Sequence, residues 1–455
     1  MKRGVSYRLS TLRFPLLALL AIVATCPTFA EERPNVLLIL ADDLGYHDLG
    51  CYGAVLYETP NLDRLAEQGL KFTEAYAACT VCSPTRAALL TGKYPARLHL
   101  TNFIPGGQIP QESELLPPDW TKQLELEQVT LAEALKAEGY VTGHFGKWHL
   151  NHDKKYRDGR PGDPGSQGFD DVLTTHKPSR NDDPADDAHH TVQITDRTVD
   201  FITRHQDQPF FGYVSYNAVH APIMESPEGV AEWKRRIESD MAKRHPGYAA
   251  MIATMDREIG RLIAHLDSLG LAEETLVIFT SDNGGLESVS SNAPLRGGKG
   301  GNYEGGIKVP AIVRWSGKIE AGTTCDEPVS SIDWMPTILE ASGIESASFG
   351  IEQMDGVSLN DRLHKPEAEL GREALFWHYP HYHSGGATPH SAIRAGRWKL
   401  IETYEGGMVE LYDLETDPGE ATDLAAKRPE IVERLKQQLN GWRDEVDAQR
   451  PVLRK

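Results

Sequence analysis

Two apolar runs in this chain end abruptly in oxygen-bearing side chains. Residues 35–40 (NVLLIL) run into Ala41-Asp42-Asp43, and residues 276–280 (LVIFT) run into Ser281-Asp282-Asn283-Gly284. Continuous apolar runs of this length read as strands buried on both faces, as in a parallel sheet. In open α/β sheets, ligands sit beyond the carboxyl ends of such strands. Three carboxylates and an amide oxygen are hard ligands, suited to Ca2+ or Mg2+ rather than zinc. Adjacent acids repel unless a cation lies between them. A single Asp-Asp is as readily a solvated turn. Two acid-tipped strands argue for a metal site built from Asp42, Asp43, Asp282 and Asn283. A third feature is Cys82-Ser83-Pro84-Thr85-Arg86, opening a stretch that closes at Thr91-Gly92. Ser83 and Pro84 read as a helix start. That places Cys82 at the positive end of a helix beside Arg86, where an anion or a thiolate is stabilised. Cys79 lies three residues earlier, so a redox C-x-x-C pair competes, although the expected surrounding context is missing.

These groups need elements to hold them. Thr59 and Pro60 read as an N-cap and first helical residue, with Leu62, Leu65 and Ala66 at helical spacing and Gly69 as the stop. Thr130 with Glu133 has capping-box spacing and opens a helix through Leu131 and Leu135 to Gly139. Residues 209–216 (PFFGYVSY) read as a strand. Tyr248, Ile252, Met255, Ile259, Leu262, Leu266 and Leu269 recur every three or four residues, which predicts a helix over 248–269 stopped by Gly270. Strand and helix alternate, so the expected fold class is α/β with a mainly parallel sheet. After about residue 345 the texture changes. Residues 392–401 and 408–412 read as short strands joined by Gly406-Gly407, and 429–446 as a closing amphipathic helix. The expected organisation is a leader over 1–30, an α/β domain over 31–345 and a smaller C-terminal α+β subdomain over 346–455.

The leader reads as a secretory signal peptide. Lys2, Arg3, Arg8 and Arg13 make a basic start, residues 14–24 are apolar, and Thr28-Phe29-Ala30 has small residues where cleavage occurs. An uncleaved anchor competes, but the run is shorter than the ~20 residues a spanning helix needs. A lipoprotein through Cys26 fits less well, with Thr25 before it. The expected location is therefore periplasmic or secreted, without stable membrane insertion. The whole chain carries 47 Lys+Arg against 66 Asp+Glu, a formal charge of −19 that becomes −23 without the leader's four bases. That excess argues against a nucleic-acid partner, because phosphate contacts need a basic surface. The 5 Cys are too few for a disulfide scaffold.

At the Cys82–Arg86 stretch the sequence resembles a known family. It looks like the C-x-P-x-R signature of the type I sulfatases, within the alkaline phosphatase superfamily. Residues 139–149 (GYVTGHFGKWH) resemble that family's second signature. The same order continues through residues 217–222 (NAVHAP), 281–284 (SDNG), 296–300 (RGGKG) and 303–306 (YEGG). The likeness spans roughly residues 33 to 455 and is strongest before 315. Thr80 and Phe145 sit off the strict patterns, at positions that carry no chemistry.

The resemblance implies an alkaline-phosphatase-like sheet sandwiched by helices, and a role for each matching residue. Cys82 would be oxidised to Cα-formylglycine during export by a separate maturation enzyme. Asp42, Asp43, Asp282 and Asn283 would bind Ca2+ beside it, with the modified Cys82 as a further ligand. Arg86 would hold the hydrated aldehyde, Lys147 and Lys299 the sulfate oxygens, and His149 the formylglycine hydroxyl. His220 would stand close to the leaving-group oxygen. A hydrated aldehyde carries two hydroxyls: one attacks sulfur, the other expels sulfate as the carbonyl re-forms. The implied activity is hydrolysis of sulfate esters, with a sulfated carbohydrate as the expected substrate by analogy. A phosphomonoester or phosphonate-ester hydrolase on the same scaffold, and an inactive glycan-binding homologue, are the competing functions.

Other residues carry weaker expectations. Trp377, His378, His381, His383 and Arg394 cluster near the C-terminal strands, and His378, His381 and Arg394 are taken as substrate-binding. A polar loop packed on the main domain is the bland alternative. Asp182, Asp183, Asp186, Asp187, His189 and His190 suggest a second metal site or, more simply, a solvated acidic loop. Cys51, Cys79 and Cys325 have no assignable pairing.

Overall fold

All seven side chains of the strand Asn35–Ala41 are buried, and they divide by alternation between two cores. Val36, Leu38 and Leu40 pack with Ala87, Leu89, Leu135 and Ile338. Leu37, Ile39 and Ala41 pack with Leu62, Leu65, Phe201, Ile252 and Ile259. The period of two therefore sends successive residues to opposite helical layers, giving helices on both faces of one sheet. This is a computed structural model describing residues 1–6, 8, 33–153, 155–237, 245–351 and 353–455. Most of the expected leader, residues 9–30, lies outside the described residues. No helix among the described residues is long and apolar enough to cross a membrane.

The sheet has eight strands. Across it lie Thr323–Cys325, Leu70–Phe72, Ala311–Arg314, Thr275–Ser281, Asn35–Ala41, Phe210–Ser215, Val141–Gly146 and Asp171–Thr174. Ala311–Arg314 alone runs against its neighbours. The central strand pairs in parallel with Phe210–Ser215 and Thr275–Ser281. The alternation of elements therefore gives the mainly parallel α/β sheet that the sequence predicts.

Local signals also hold. Thr130 accepts a hydrogen bond from the Glu133 amide and Glu133 accepts one from the Thr130 amide, closing the capping box of Leu131–Ala137. The long helix is Pro246–Ser268. Ile351, Leu359 and Leu363 still belong to the first of the two sheet cores. The C-terminal sheet begins only at Leu375 and is a four-stranded antiparallel meander: Leu375–Tyr379, His390–Ala395, Trp398–Thr403 and Val409–Asp413. The single strand expected over 392–401 is two strands. A two-residue turn at Gly396-Arg397 separates them, and Gly396 supplies the positive φ of 58°. Pro429–Glu445 covers one face through Leu435, Leu439 and Trp442, the last stacked on Phe376 with centroids 4.8 Å apart.

Candidate active site

The acid-tipped strands end side by side. Asp282 N donates to Ala41 O at 3.1 Å, and Asp42 N donates to Ala218 O at 2.9 Å, bringing the loop of His220 to the same edge. Asp43 adopts φ of 61°, a left-handed conformation that Asp tolerates better than most residues. Cys82 opens the helix Cys82–Thr91, every residue of which is buried. Thr85 holds its entry, donating to the Cys79 carbonyl at 3.1 Å and accepting from the Cys79 amide at 3.2 Å. Pro84 falls in the first turn, where a missing N–H costs nothing.

These elements place Cys82 Sγ 3.5 Å from Asp42 Oδ1, 3.9 Å from Asp43 Oδ1 and 3.3 Å from Lys299 Nζ. Lys147 Nζ donates to Asp42 Oδ2 at 2.6 Å, and Lys299 Nζ to Asp43 Oδ1 at 2.7 Å. Arg86 donates to Asp282 Oδ2 from Nε at 2.9 Å and from Nη2 at 2.6 Å. Its Nη1 reaches the Ser215 hydroxyl and the Lys147 carbonyl. His220 Nε2 lies 3.6 Å from Asp43 Oδ2, and His149 Nε2 meets the Ile104 carbonyl at 2.6 Å.

Glycines let the backbone approach this closely. A Cβ on Gly146, whose φ is 116°, would stand 1.9 Å from the Ser215 carbonyl. Only glycine permits the turn that delivers Lys147. A Cβ on Gly306 would meet Gly301 O at 2.0 Å, so the Lys299 loop folds on itself in the same way.

The electrostatics follow from burying six charges together. Burial alone would raise Asp42, but Lys147, His220 and Arg86 hold its carboxyl well below the usual range. Asp43 is lowered against its burial chiefly by Lys299. Burial and the neighbouring Asp42 push Asp282 up to about 6, against the pull of Arg86. Lys299 is raised by Asp43 and Cys82 despite its burial. Burial lowers His220 to about 4, and burial with Lys147 holds His149 well below the usual histidine range. Cys82 corrects the sequence reading. Burial, then Asp282, pushes its thiol up to about 12, so the helix terminus does not make a thiolate here. Cys51, Cys79, Cys82 and Cys325 are all unpaired, which removes the C-x-x-C disulfide.

The donor set fits a hard cation. Asp42, Asp43, Cys82 and His220 offer ligand atoms within 4.8 Å of one another. Asn283 Oδ1 is buried without a hydrogen-bond partner while its Nδ2 donates to Asp43 Oδ1 at 2.8 Å. A buried amide oxygen left over beside three carboxylates is what an oxygen-seeking ion would use.

A cavity of about 490 Å³ opens over this cluster. Asp43, Cys82, Lys147, His149, His220 and Lys299 line it. The C-terminal segment contributes His383 and Ser384, whereas His378, His381 and Arg394 lie outside the lining. His378 is held by Ser391 Oγ at 2.7 Å and Gln449 O at 2.8 Å. His381 pairs with Thr101 Oγ1 at 2.8 Å. Arg394 reaches the Glu74 carboxylate and the Tyr76 hydroxyl, so it ties the C-terminal sheet to the segment that follows Phe72 rather than touching the cavity. All three are buried against partners outside this cavity. The acids at 182–187 cap their own loop: Asp182 takes the Ser179 amide and hydroxyl, and Asp187 the Val192 and Gln193 amides. The sequence reading missed Phe103, Tyr156, Lys177 and Leu286, which join the lining from separate loops. Trp148, between Lys147 and His149, and Asn217, which opens the 217–222 motif, are lining residues that stand within motifs.

Comparison with known proteins points to the same family. The family model described as Sulfatase matches residues 34–344, and one described as N-sulphoglucosamine sulphohydrolase, C-terminal, matches 299–445. Arylsulfatase A of Homo sapiens is 33% identical, covering 95% of this chain and 91% of its own. A sulfatase of Formosa agariphila is 31% identical, covering 91% and 89%. The crystal structure of Ps i-CgsB in complex with k-i-k-neocarrahexaose superposes with a TM-score of 0.75 at 27% identity, covering 90% and 92%. With the expected motifs gathered at one sheet edge and a family match across most of its length, the chain belongs to the sulfatase family of sulfuric ester hydrolases.

Proposed function

We propose that the chain cleaves sulfate esters of a carbohydrate at Cys82, working as an exported, Ca2+-dependent enzyme whose Cys82 is matured to formylglycine. The observation that carries this reading is the position of Cys82 Sγ, between the Asp42–Asp43 carboxylates and the Lys299 ammonium on the cavity floor. A nucleophile there is reached by substrate from one side and by a cation's ligands from the other. The carbohydrate assignment draws on the saccharide bound by the Ps i-CgsB relative and on the C-terminal family match.

Asp42, Asp43, Asp282 and Asn283 would hold Ca2+, which supplies charge neutralisation at the sulfate and acidifies a bound hydroxyl. Formylglycine hydrate would supply a geminal pair of hydroxyls in place of a thiol held protonated by burial. The remaining residues act directly. Lys147 and Lys299 exchange carboxylate contacts for sulfate oxygens and stabilise the charge that builds on them. Arg86 fixes Asp282 through two bonds to one oxygen and is itself locked by Ser215. His220 donates from Nδ1 to the Ala221 carbonyl and so turns the lone pair of Nε2 toward the cluster, where it takes up a proton before passing it to a departing alkoxide. His149, with Nε2 on the Ile104 carbonyl, orients Nδ1, a buried atom with no partner of its own. Phe103, Trp148 and Leu286 exclude water from the cavity wall.

The test is peptide mass spectrometry across Cys82 on protein made with the maturation enzyme, alongside turnover of 4-nitrophenyl sulfate and 4-nitrophenyl phosphate. Formylglycine or its hydrate, sulfate release faster than phosphate, and loss of turnover on chelation with recovery by Ca2+ are expected. An intact thiol in fully active enzyme, or faster phosphate release, would overturn the proposal.

A further inference from the structure

We infer that Lys177 is a specificity residue that reads a second anionic group on the substrate, a sulfate or carboxylate carried away from the ester being cleaved. This rests on the sulfatase reading of the cavity. Three lysines line it: Lys147, Lys177 and Lys299. Two are committed, Lys147 to Asp42 and Lys299 to Asp43. The outer-wall acids Asp153 and Asp163 are likewise committed, both to Arg160. Lys177 makes no hydrogen bond or salt bridge among the described residues. It is thus the one lining lysine with no carboxylate in direct contact, Asp42 attracting it only from a distance.

Its placement is fixed by backbone. The strand Asp171–Thr174 ends beside Gly146, and Thr175 N donates to the Gly146 carbonyl at 2.9 Å. Thr175 and Pro178 are buried on either side of the exposed His176-Lys177 pair. The ammonium is therefore carried at the cavity rim by an anchored loop. Burial, then Lys147 and, more weakly, Lys299 depress its pKa against the pull of Asp42, so the three cations feel one another across the same space. One sulfate can engage Lys147 and Lys299, but it leaves Lys177 repelled and unpaired. A second anion at the rim removes that repulsion and adds a charge-assisted hydrogen bond. The apolar wall of Phe103, Trp148 and Tyr156 lies along the same cavity, where a sugar ring between the two anions would pack.

The test compares wild type, Lys177→Ala, Lys177→Arg and Lys177→Glu. The readout is the inhibition constant of matched saccharides against 4-nitrophenyl sulfate turnover, checked by calorimetry. One pair is glucosamine 6-sulfate with and without an N-sulfate. The other is a sulfated uronate-containing disaccharide and its carboxyl methyl ester. Wild type should prefer the doubly anionic member of at least one pair by about 10-fold, a size set by one partly exposed charge contact. Which pair responds identifies the second anion. Lys177→Ala should erase the preference, Lys177→Arg retain most of it and Lys177→Glu invert it. Added salt should narrow the wild-type preference, which a purely structural role would not produce. An unchanged preference in Lys177→Ala, or none in wild type for either pair, would overturn the inference. If no sulfate ester is cleaved at all, the proposed function fails, while calorimetric binding of the matched pairs still reads Lys177.

Discussion

Lys399→Met probes how the C-terminal sheet is fastened to the catalytic unit. Lys399 sits on the strand Trp398–Thr403 with its side chain fully buried, and its Nζ lies 2.8 Å from Glu304 Oε1 and 2.8 Å from Glu420 Oε1. Glu304 follows the Lys299 loop directly and also accepts from Tyr76 OH at 2.7 Å. At an effective dielectric near 20, each contact is worth about 6 kcal/mol of gross attraction, most of it offset by desolvation. Removing the cation while both carboxylates stay buried should cost about 3–5 kcal/mol of stability. The pH dependence carries a sign. Despite burial, Lys399 draws Glu304 down to about 2, below its unfolded value, so its contribution is present above about pH 4.5. It is lost as pH falls toward 2. In the variant both carboxylates escape their penalty by taking up protons. The loss should therefore be largest near pH 7.5 and shrink toward pH 4.5. Burial and Glu304 already raise Glu420 in the wild type, so one of the two acids is primed to do this. Urea denaturation followed by tryptophan fluorescence at the two pH values is the assay. A loss under about 1 kcal/mol at pH 7.5, or one that grows on acidification, would refute the reasoning.

Three further outcomes follow from the same structure. Arg86→Lys cannot reproduce the double contact to Asp282 together with the Ser215 bond, so the urea midpoint should fall by the equivalent of about 3 kcal/mol with kcat collapsing alongside. Gly146→Ala should yield little folded protein, because its Cβ would lie 1.9 Å from the Ser215 carbonyl; near-wild-type melting would contradict the geometry. His378→Gln should lower stability through its Ser391 and Gln449 contacts yet leave KM within about twofold, since a lost carbonyl contact is worth only ~1 kcal/mol and lies off the cavity; a tenfold KM rise would restore His378 to the substrate site.

How far the sequence reached depended on the range of the interaction that decided each point. Buried strands with acids at their tips, the Thr130–Glu133 capping box and the heptad-like spacing over 248–269 are settled by contacts within a few residues, and the chain carries them openly. The structure gathers Asp42, Asp43, Cys82, Arg86, Lys147, His149, His220, Asp282 and Lys299 at one end of the sheet, where they follow strands, stand in the first turns of the Cys82 helix or, like Lys299, ride on a loop. The C-terminal residues were decided otherwise. In an antiparallel meander, alternate side chains face opposite ways. Leu375 and Trp377 share one core with Ala392 and Ile401, while Phe376 packs with Ile393 and Leu400 under Trp442. That phase turns His378 away from the cavity and sends Arg394 to Glu74, and a two-residue turn at Gly396 that the sequence reading overlooked helps set it. The Cys82 thiol shows the same division. A helix terminus and a nearby arginine are visible in sequence and favour a thiolate. Full burial and the approach of Asp282 from 200 residues away exist only in the folded chain, and desolvation outweighs the dipole. Short-range backbone chemistry is written in the order of residues. Which charged groups are buried together, and which lysine is left without a partner, is fixed only when distant strands meet.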